Sequence, residues 1–232
     1  MKGLCFITYF LFLSMYCQAQ YRSGAELVTA MHKRYCNGPC KIYSFSQRNT
    51  HYKADTVSGH SEWHEIIEFP VKFRIDFGDK AKGNYVVFKN DSVFNYKSGK
   101  LVKMKADSNS LLLLLGGMYY RPIEDVLARI KTQGYDLNTI SSQKWNGEEV
   151  FVIGARENEL SKNQVWISKK TLRILRILES LNETEQMDMR FEAHQDWCKG
   201  YVETKVSFRR NGKLEQVEEY YNIKEANSFP EP

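Results

Sequence analysis

The sequence predicts a mainly β (α+β) protein: an unclosed antiparallel β-barrel, a strongly curved half-barrel covered by an N-terminal helix and a central helical lid. Three observations predict it. Residues 68–77 read Glu-Phe-Pro-Val-Lys-Phe-Arg-Ile-Asp-Phe, where Phe69, Val71, Phe73, Ile75 and Phe77 alternate with Pro70, Lys72, Arg74 and Asp76. That is a strand with one wet and one apolar face, and its row of phenylalanines is bulkier than a thin sandwich core needs. About ten strand-like segments then succeed one another, and so large a sheet curls or splits. Helical patterns occur only at the start and in the middle. The middle one holds Leu111, Leu112, Leu113, Leu114 and Leu115, a turn apolar all round that must lie between two apolar partners.

Taken in order, residues 1–19 read as an export signal: Lys2, an apolar run over 4–16, then Cys17-Gln18-Ala19, with cleavage expected after Ala19. The run falls short of the roughly 20 apolar residues of a spanning helix. Lipid modification at Cys17 is a rival reading, opposed by the bulky Tyr16 before it. Residues 20–232 are expected to form a single exported domain. A helix over 25–35 buries Leu27, Val28, Met31 and Tyr35; Ser23 or Gly24 caps it and Asn37-Gly38-Pro39 ends it.

Strands follow at 41–52, 61–68 and 71–77, with Pro70 bending the chain, and a meander at 85–89, 93–96 and 101–105. Residues 107–110 offer helix caps for the leucine turn, which Gly116-Gly117 stops. A second helix over 122–133 starts with Pro122, stops at Gly134 and buries Ile123, Val126, Leu127 and Ile130. The chain returns to β at 139–144, 149–155, 164–168, 172–181, 185–197, 201–209 and 214–225, strands expected to pair in sequential order.

The formal net charge is +5, but Lys and Arg are spread along strands and turns, which reads as a solvated surface and not as a nucleic-acid site. Removal of the signal leaves Cys36, Cys40 and Cys198. In an oxidising compartment the Gly-Pro turn inside Cys36-Asn37-Gly38-Pro39-Cys40 favours a Cys36–Cys40 disulfide with Cys198 left over. A thiol-redox role for Cys36 and Cys40 is the rival, but redox pairs have two intervening residues at a helix start. Here three residues follow a helix.

His60 and His64 have metal-like spacing, yet on a strand they stand roughly 13 Å apart. Ser141 and Lys144 match Ser-x-x-Lys, but at a hairpin and without companion motifs. No catalytic residue, metal or cofactor is expected.

Several segments taken together point to a family. The chain has an N-terminal helix leading into a long strand, then Phe69-Pro70-Val71-Lys72-Phe73-Arg74 and Asn90-Asp91-Ser92-Val93-Phe94-Asn95-Tyr96. A leucine-rich segment precedes a hairpin block over 150–181, and Tyr221-Asn222-Ile223 and Phe229-Pro230-Glu231-Pro232 close the chain. In this order the segments resemble the periplasmic outer-membrane lipoprotein carriers of the LolA type.

The resemblance implies a non-enzymatic periplasmic monomer that holds lipoprotein acyl chains, or another lipid, in an apolar half-barrel. It would trade them between inner- and outer-membrane lipoprotein-handling proteins. The residues expected to bind lipid are Phe69, Val71, Phe73, Ile75, Phe77, Leu111, Leu112, Leu114 and Leu115. The sequence departs from the family in one place: those carriers often set a lid-latching arginine immediately before this proline, where Phe69 stands. Arg74 falls on the opposite face by parity and is no substitute. A sensor on the same scaffold, binding the exported domain of a membrane protein, is the alternative.

Overall fold

The computed structural model describes residues 21–230 except 37, 39 and 108. The expected export signal over 1–19 and Cys17 lie outside the described residues, as do Asn37, Pro39, Ser108, Glu231 and Pro232. Helix α1 spans Gly24–Tyr35, where the Ser23 hydroxyl accepts from the Glu26 amide at 3.2 Å and satisfies one of the helix's unpaired donors. His32, Lys33 and Arg34 in its last turn complement the helix dipole.

A first run of strands follows: β1 (Ile42–Lys53), β2 (Thr56–Glu68), β3 (Lys72–Phe77), β4 (Tyr85–Lys89), β5 (Ser92–Lys97) and β6 (Lys100–Ala106). Then come α2 (Ser110–Leu114), a 3-10 turn over Gly117–Tyr120, and α3 (Ile123–Thr132). The second run is β7 (Ile140–Trp145), β8 (Glu148–Ile153), β9 (Gln164–Ser168), β10 (Ile174–Ser180) and β11 (Gln186–Glu192). It ends with β12 (Gln195–Trp197), β13 (Gly200–Val202), β14 (Lys205–Arg210) and β15 (Lys213–Glu225).

Among the described residues, thirteen of these strands form one antiparallel sheet in the order β6-β5-β4-β3-β2-β1-β15-β14-β11-β10-β9-β8-β7. The sheet is curved and unclosed, with free edges at β6 and β7. The pairing is not simply sequential, as the turns alone imply. Two meanders are joined through β1, which pairs β2 on one side and β15 on the other; Tyr43 stands opposite both Ile67 and Glu225. This topology explains the lid. The chain leaves the sheet at one free edge and re-enters it at the other, so α2 and α3 must cross the open side.

The main core sits under the helices. Leu27, Val28 and Met31 of α1, Leu114 and Met118 of the lid, and Val126 and Ile130 of α3 pack on Ile153, Ile167, Ile174 and Phe191 of the sheet. The outer face holds Arg176 over the Trp166 ring at 4.7 Å and Arg74 over the Tyr85 ring at 3.8 Å. The exposed edge strand β6 carries Lys100, Lys103 and Lys105, charges that discourage edge-to-edge pairing.

Two further expectations are corrected. The strands expected at 185–197 and 201–209 are each broken, because the chain turns out of the sheet at Ala193, whose φ is 52°. His194 bonds the Ile174 carbonyl at 3.0 Å there, and β12 and β13 form a separate two-stranded ribbon. The disulfide is the second correction: Cys40 pairs with Cys198, and Cys36 is free and exposed.

The reason for that pairing lies in the ribbon's docking. Its turn is held against the segment before β1 by the Lys199 amide donating to the Gly38 carbonyl at 2.7 Å. A Cβ on Gly38 would stand 2.8 Å from the Lys199 carbonyl oxygen, so only glycine permits this approach. Cys36, which caps the C-terminus of α1, points its Sγ back toward the Lys33 carbonyl at 3.7 Å. The reading of Cys36 and Cys40 as a redox pair falls with that pairing.

Candidate functional site: a lidded apolar cavity

Between α2 and the inner face of the sheet lies a cavity of about 250 Å³. The strand period builds its floor. Tyr43 and Phe45 of β1, Trp63 and Ile67 of β2, and Phe73 and Ile75 of β3 occupy inward positions, and the registers set Ile67 opposite Phe73 and Trp63 opposite Phe77. Val206, Phe208 and Tyr220 line the other side, and Leu111, Leu112 and Leu115 of the lid form the roof. Asn109 starts α2, its Oδ1 accepting from the Leu112 amide at 2.9 Å.

The lid is fastened along one rim. The Phe69 ring stands 5.9 Å from that of Tyr43 and 6.0 Å from that of Tyr120 in the 3-10 turn. Arg121, just beyond that turn, donates to the Pro70 carbonyl at 3.4 Å and pairs with Asp125 at 3.0 Å. Arg129 of α3 reaches Asp91 in the β4–β5 turn at 3.0 Å. In both contacts the guanidinium is on the lid side and the acceptor lies in a turn between strands of the sheet.

Gly116 fits against the Phe69 ring so closely that a Cβ there would lie 2.1 Å from its Cζ. Phe69 is buried, its ring packed near those of Tyr43 and Tyr120. Gly116→Ala is therefore expected to destabilise the fold by about 1–3 kcal/mol, the usual scale for overpacking. Thermal unfolding measures it, and hydrogen exchange over residues 110–121 should speed up; an unchanged melting temperature and unchanged exchange would contradict the close fit.

The cavity wall also carries three carboxyls the apolar pattern did not announce: Glu65, Glu203 and Glu218. Burial pushes each of them up; the Glu218 charge adds to it for Glu65 and Glu203, while hydrogen bonds to Glu218 work against it there, and Glu203 and Glu218 reach about 7. The Tyr220 hydroxyl and the Gln216 amide donate to Glu218, each at 2.7 Å. A carboxyl whose folded pKa exceeds its unfolded value stabilises the fold fully below the unfolded value, and that contribution is lost as pH rises through the folded one.

For Glu203 the window runs from 4.5 to about 7 and is worth on the order of 3 kcal/mol. Urea midpoints should accordingly fall between pH 5 and pH 8 by more in the wild type than in Glu203→Gln. His194, whose pKa burial lowers, acts with the opposite sign in both proteins and cancels from the comparison. Equal slopes for the two proteins would contradict the burial of Glu203.

Of the residues expected to meet lipid, Phe69, Phe73, Ile75, Leu111, Leu112 and Leu115 line this cavity. Val71 does not: it sits in the turn before β3 and lines a small cleft under the rim with Pro70, Lys89 and Arg129. Phe77 stands beyond the cavity, 39 % exposed, edge-on to Trp63 at 5.2 Å. Leu114 faces the opposite side of α2, against Val28, Met31 and Ile130.

His60 and His64 bond separately to Thr50 and Ser46 across β1. Ser141 donates to the Ala155 carbonyl while Lys144 lies beside Glu149. Among the described residues one trio of possible metal ligands converges, Cys40, Cys198 and Glu225, and the disulfide occupies both sulfurs.

No family model and no curated protein matches the chain. Solved structures do. A putative outer membrane lipoprotein-sorting protein domain from Vibrio parahaemolyticus superposes with a TM-score of 0.62 at 14% identity, covering 90% of this chain and 94% of that one. A LolA superfamily protein from Nitrosomonas europaea gives 0.58 at 9% identity, covering 90% and 95%. A DUF1329 family protein from Desulfovibrio piger gives 0.59 at 14% identity, covering 89% and 93%. The lidded half-barrel is thus a LolA-like fold along most of its length. At these identities the likeness is one of fold.

Proposed function

We propose that the protein is a non-enzymatic periplasmic carrier that shelters lipoprotein acyl chains in transit to the outer membrane. One observation carries the reading: a largely apolar hollow between a sheet and a lid, roofed by Leu111, Leu112 and Leu115. Protein interiors are otherwise close-packed, so such space needs an occupant to make sense. An alkyl chain suits it, gaining about 0.8 kcal/mol per buried methylene without directional contacts. The fold shared with a lipoprotein-sorting domain supports the same assignment.

The cavity's size bears on mechanism. A cavity of about 150 Å³ accommodates benzene, so 250 Å³ corresponds to roughly ten carbons in a single chain. A larger lipid anchor needs the lid displaced, and the Arg121–Pro70 and Arg129–Asp91 contacts are what it must break. The test is mass spectrometry of an organic extract from protein purified without detergent. Acyl lipid in stoichiometric amount is expected. A lipid-free extract, together with no uptake of added phospholipid or lipopeptide by the delipidated protein, would remove the proposal.

A further inference from the structure

The fold treats its buried acids in two ways. On the outer face, Asp76 takes Arg74 at 2.7 Å, and Asp188 takes Arg176 at 2.7 Å and Arg190 at 2.8 Å. On the inner face, Glu65, Glu203 and Glu218 are no more than 7% exposed, and among the described residues none forms an ion pair. No Lys, Arg or His lines their cavity. Glu65 accepts no hydrogen bond from any described residue, although it lies in the cavity wall opposite Phe45. Cations are not scarce in this chain, with 33 Lys and Arg against 28 Asp and Glu. Glu218 is eased by its hydrogen bonds from Tyr220 and Gln216, but a buried carboxyl with neither cation nor donor is costly to fold, and Glu65 in the wall of a hollow indicates an absent partner.

We propose that the cavity receives an amphiphile with one alkyl chain and a protonated amine, the ammonium paired with Glu65 on the wall that Glu203 and Glu218 also line. The inference rests on the reading of the cavity as an alkyl-chain site and adds the chemistry of the polar end. An ammonium offers three donors and no acceptor, which suits a Glu65 carboxyl that has no donor among the described residues, in a wall where Glu203 and Glu218 add further acceptors. As it enters, the Glu65 carboxyl releases its proton to solvent, and the one carboxylate formed balances the one ammonium. A fatty acid would instead set a fourth carboxyl beside the three.

The groups facing this seat are Tyr43 from β1, Glu65 from β2, Glu203, and Glu218 and Tyr220 from β15, with Tyr120 nearby in the lid. The tyrosines stay neutral because burial raises them further. Amine binding should therefore strengthen as the carboxyls ionise with rising pH.

Titration calorimetry on the delipidated full chain tests this with decylamine, decan-1-ol and decanoate, chosen for the size of the cavity. At pH 8 decylamine should bind at least tenfold more tightly than decan-1-ol, and decanoate most weakly. The amine-to-alcohol ratio should fall toward one at pH 5, and at pH 8 in Glu65→Gln, through loss of amine affinity. Equal binding of amine and alcohol at pH 8 overturns the inference while leaving the alkyl-chain reading intact; binding by none of the three overturns both.

The amine of an aminolipid and the N-terminal amine of a lipidated peptide share this chemistry, and S-decylcysteinamide separates them. Tighter binding than decylamine points to the peptide amine, weaker binding to the aminolipid. In either case its N-acetylated form must lose the advantage over decan-1-ol, and retention of that advantage counts against the inference.

Discussion

Leu112→Asp is expected to fold and to lose acyl-chain loading by roughly a hundredfold, about 2.7 kcal/mol. Leu112 lines the cavity roof and is only half-buried, since it faces open space. Replacing it removes few packed atoms, so the fold should lose about 1 kcal/mol. A bound chain, by contrast, would strip water from the new carboxylate with no cation in reach, a penalty of several kcal/mol that binding must absorb. The neighbouring Leu114 gives the converse. It is 2% exposed in the core under α1, so Leu114→Ala should cost about 2–5 kcal/mol of stability while loading per folded molecule persists. Displacement of an uncharged fluorescent alkyl probe and urea unfolding on the two variants check the pair, and exchanged phenotypes would show that α2 is rotated from the orientation described.

Cys198→Ser should lower the melting temperature by roughly 10 °C, and Cys36→Ser should leave it unchanged. The disulfide joins cysteines 158 positions apart. In the chain-entropy model a loop of that length is worth about 5 kcal/mol, and measured losses for native bridges run about 2–5 kcal/mol. For a domain of this size each kcal/mol shifts the melting temperature by about 2–4 °C. Cys36 is exposed and free, so it carries none of this. Differential scanning calorimetry of the variants, with Cys40→Ser alongside, reads the result. Matching losses in Cys36→Ser and Cys40→Ser would restore the adjacent pairing that the turn between them favours.

Strand parity made much of the floor legible. Phe73 and Ile75 face inward because the alternation of β3 continues across its partners, and the same rule put Arg74 outside. Parity does not say where a cavity ends, and for that reason Val71 and Phe77, at the two ends of the row, fall outside it. The leucine run was legible as a segment between two apolar layers but not residue by residue. At about 100° per residue, Leu112 and Leu114 stand about 160° apart on α2; a uniformly apolar run carries no mark of which of them faces the cavity.

The carboxyls did leave a signal. Glu65 sits between Trp63 and Ile67 on the inward parity of β2, and a charge in that place is a departure worth explaining. The disulfide left none, because connectivity depends on where the β12–β13 ribbon docks, and that ribbon exists only through a turn at Ala193 that no strand pattern reveals.

The central claim is that an alkyl chain lies between the lid and the inner face of the sheet, and a heavy-atom label locates it directly. Crystals of the delipidated protein soaked with 10-bromodecan-1-ol should give an anomalous bromine peak in the space bounded by Phe73, Ile75, Leu111 and Leu112. Bromine found only on the outer surface, with that space filled by rearranged side chains, would contradict the account.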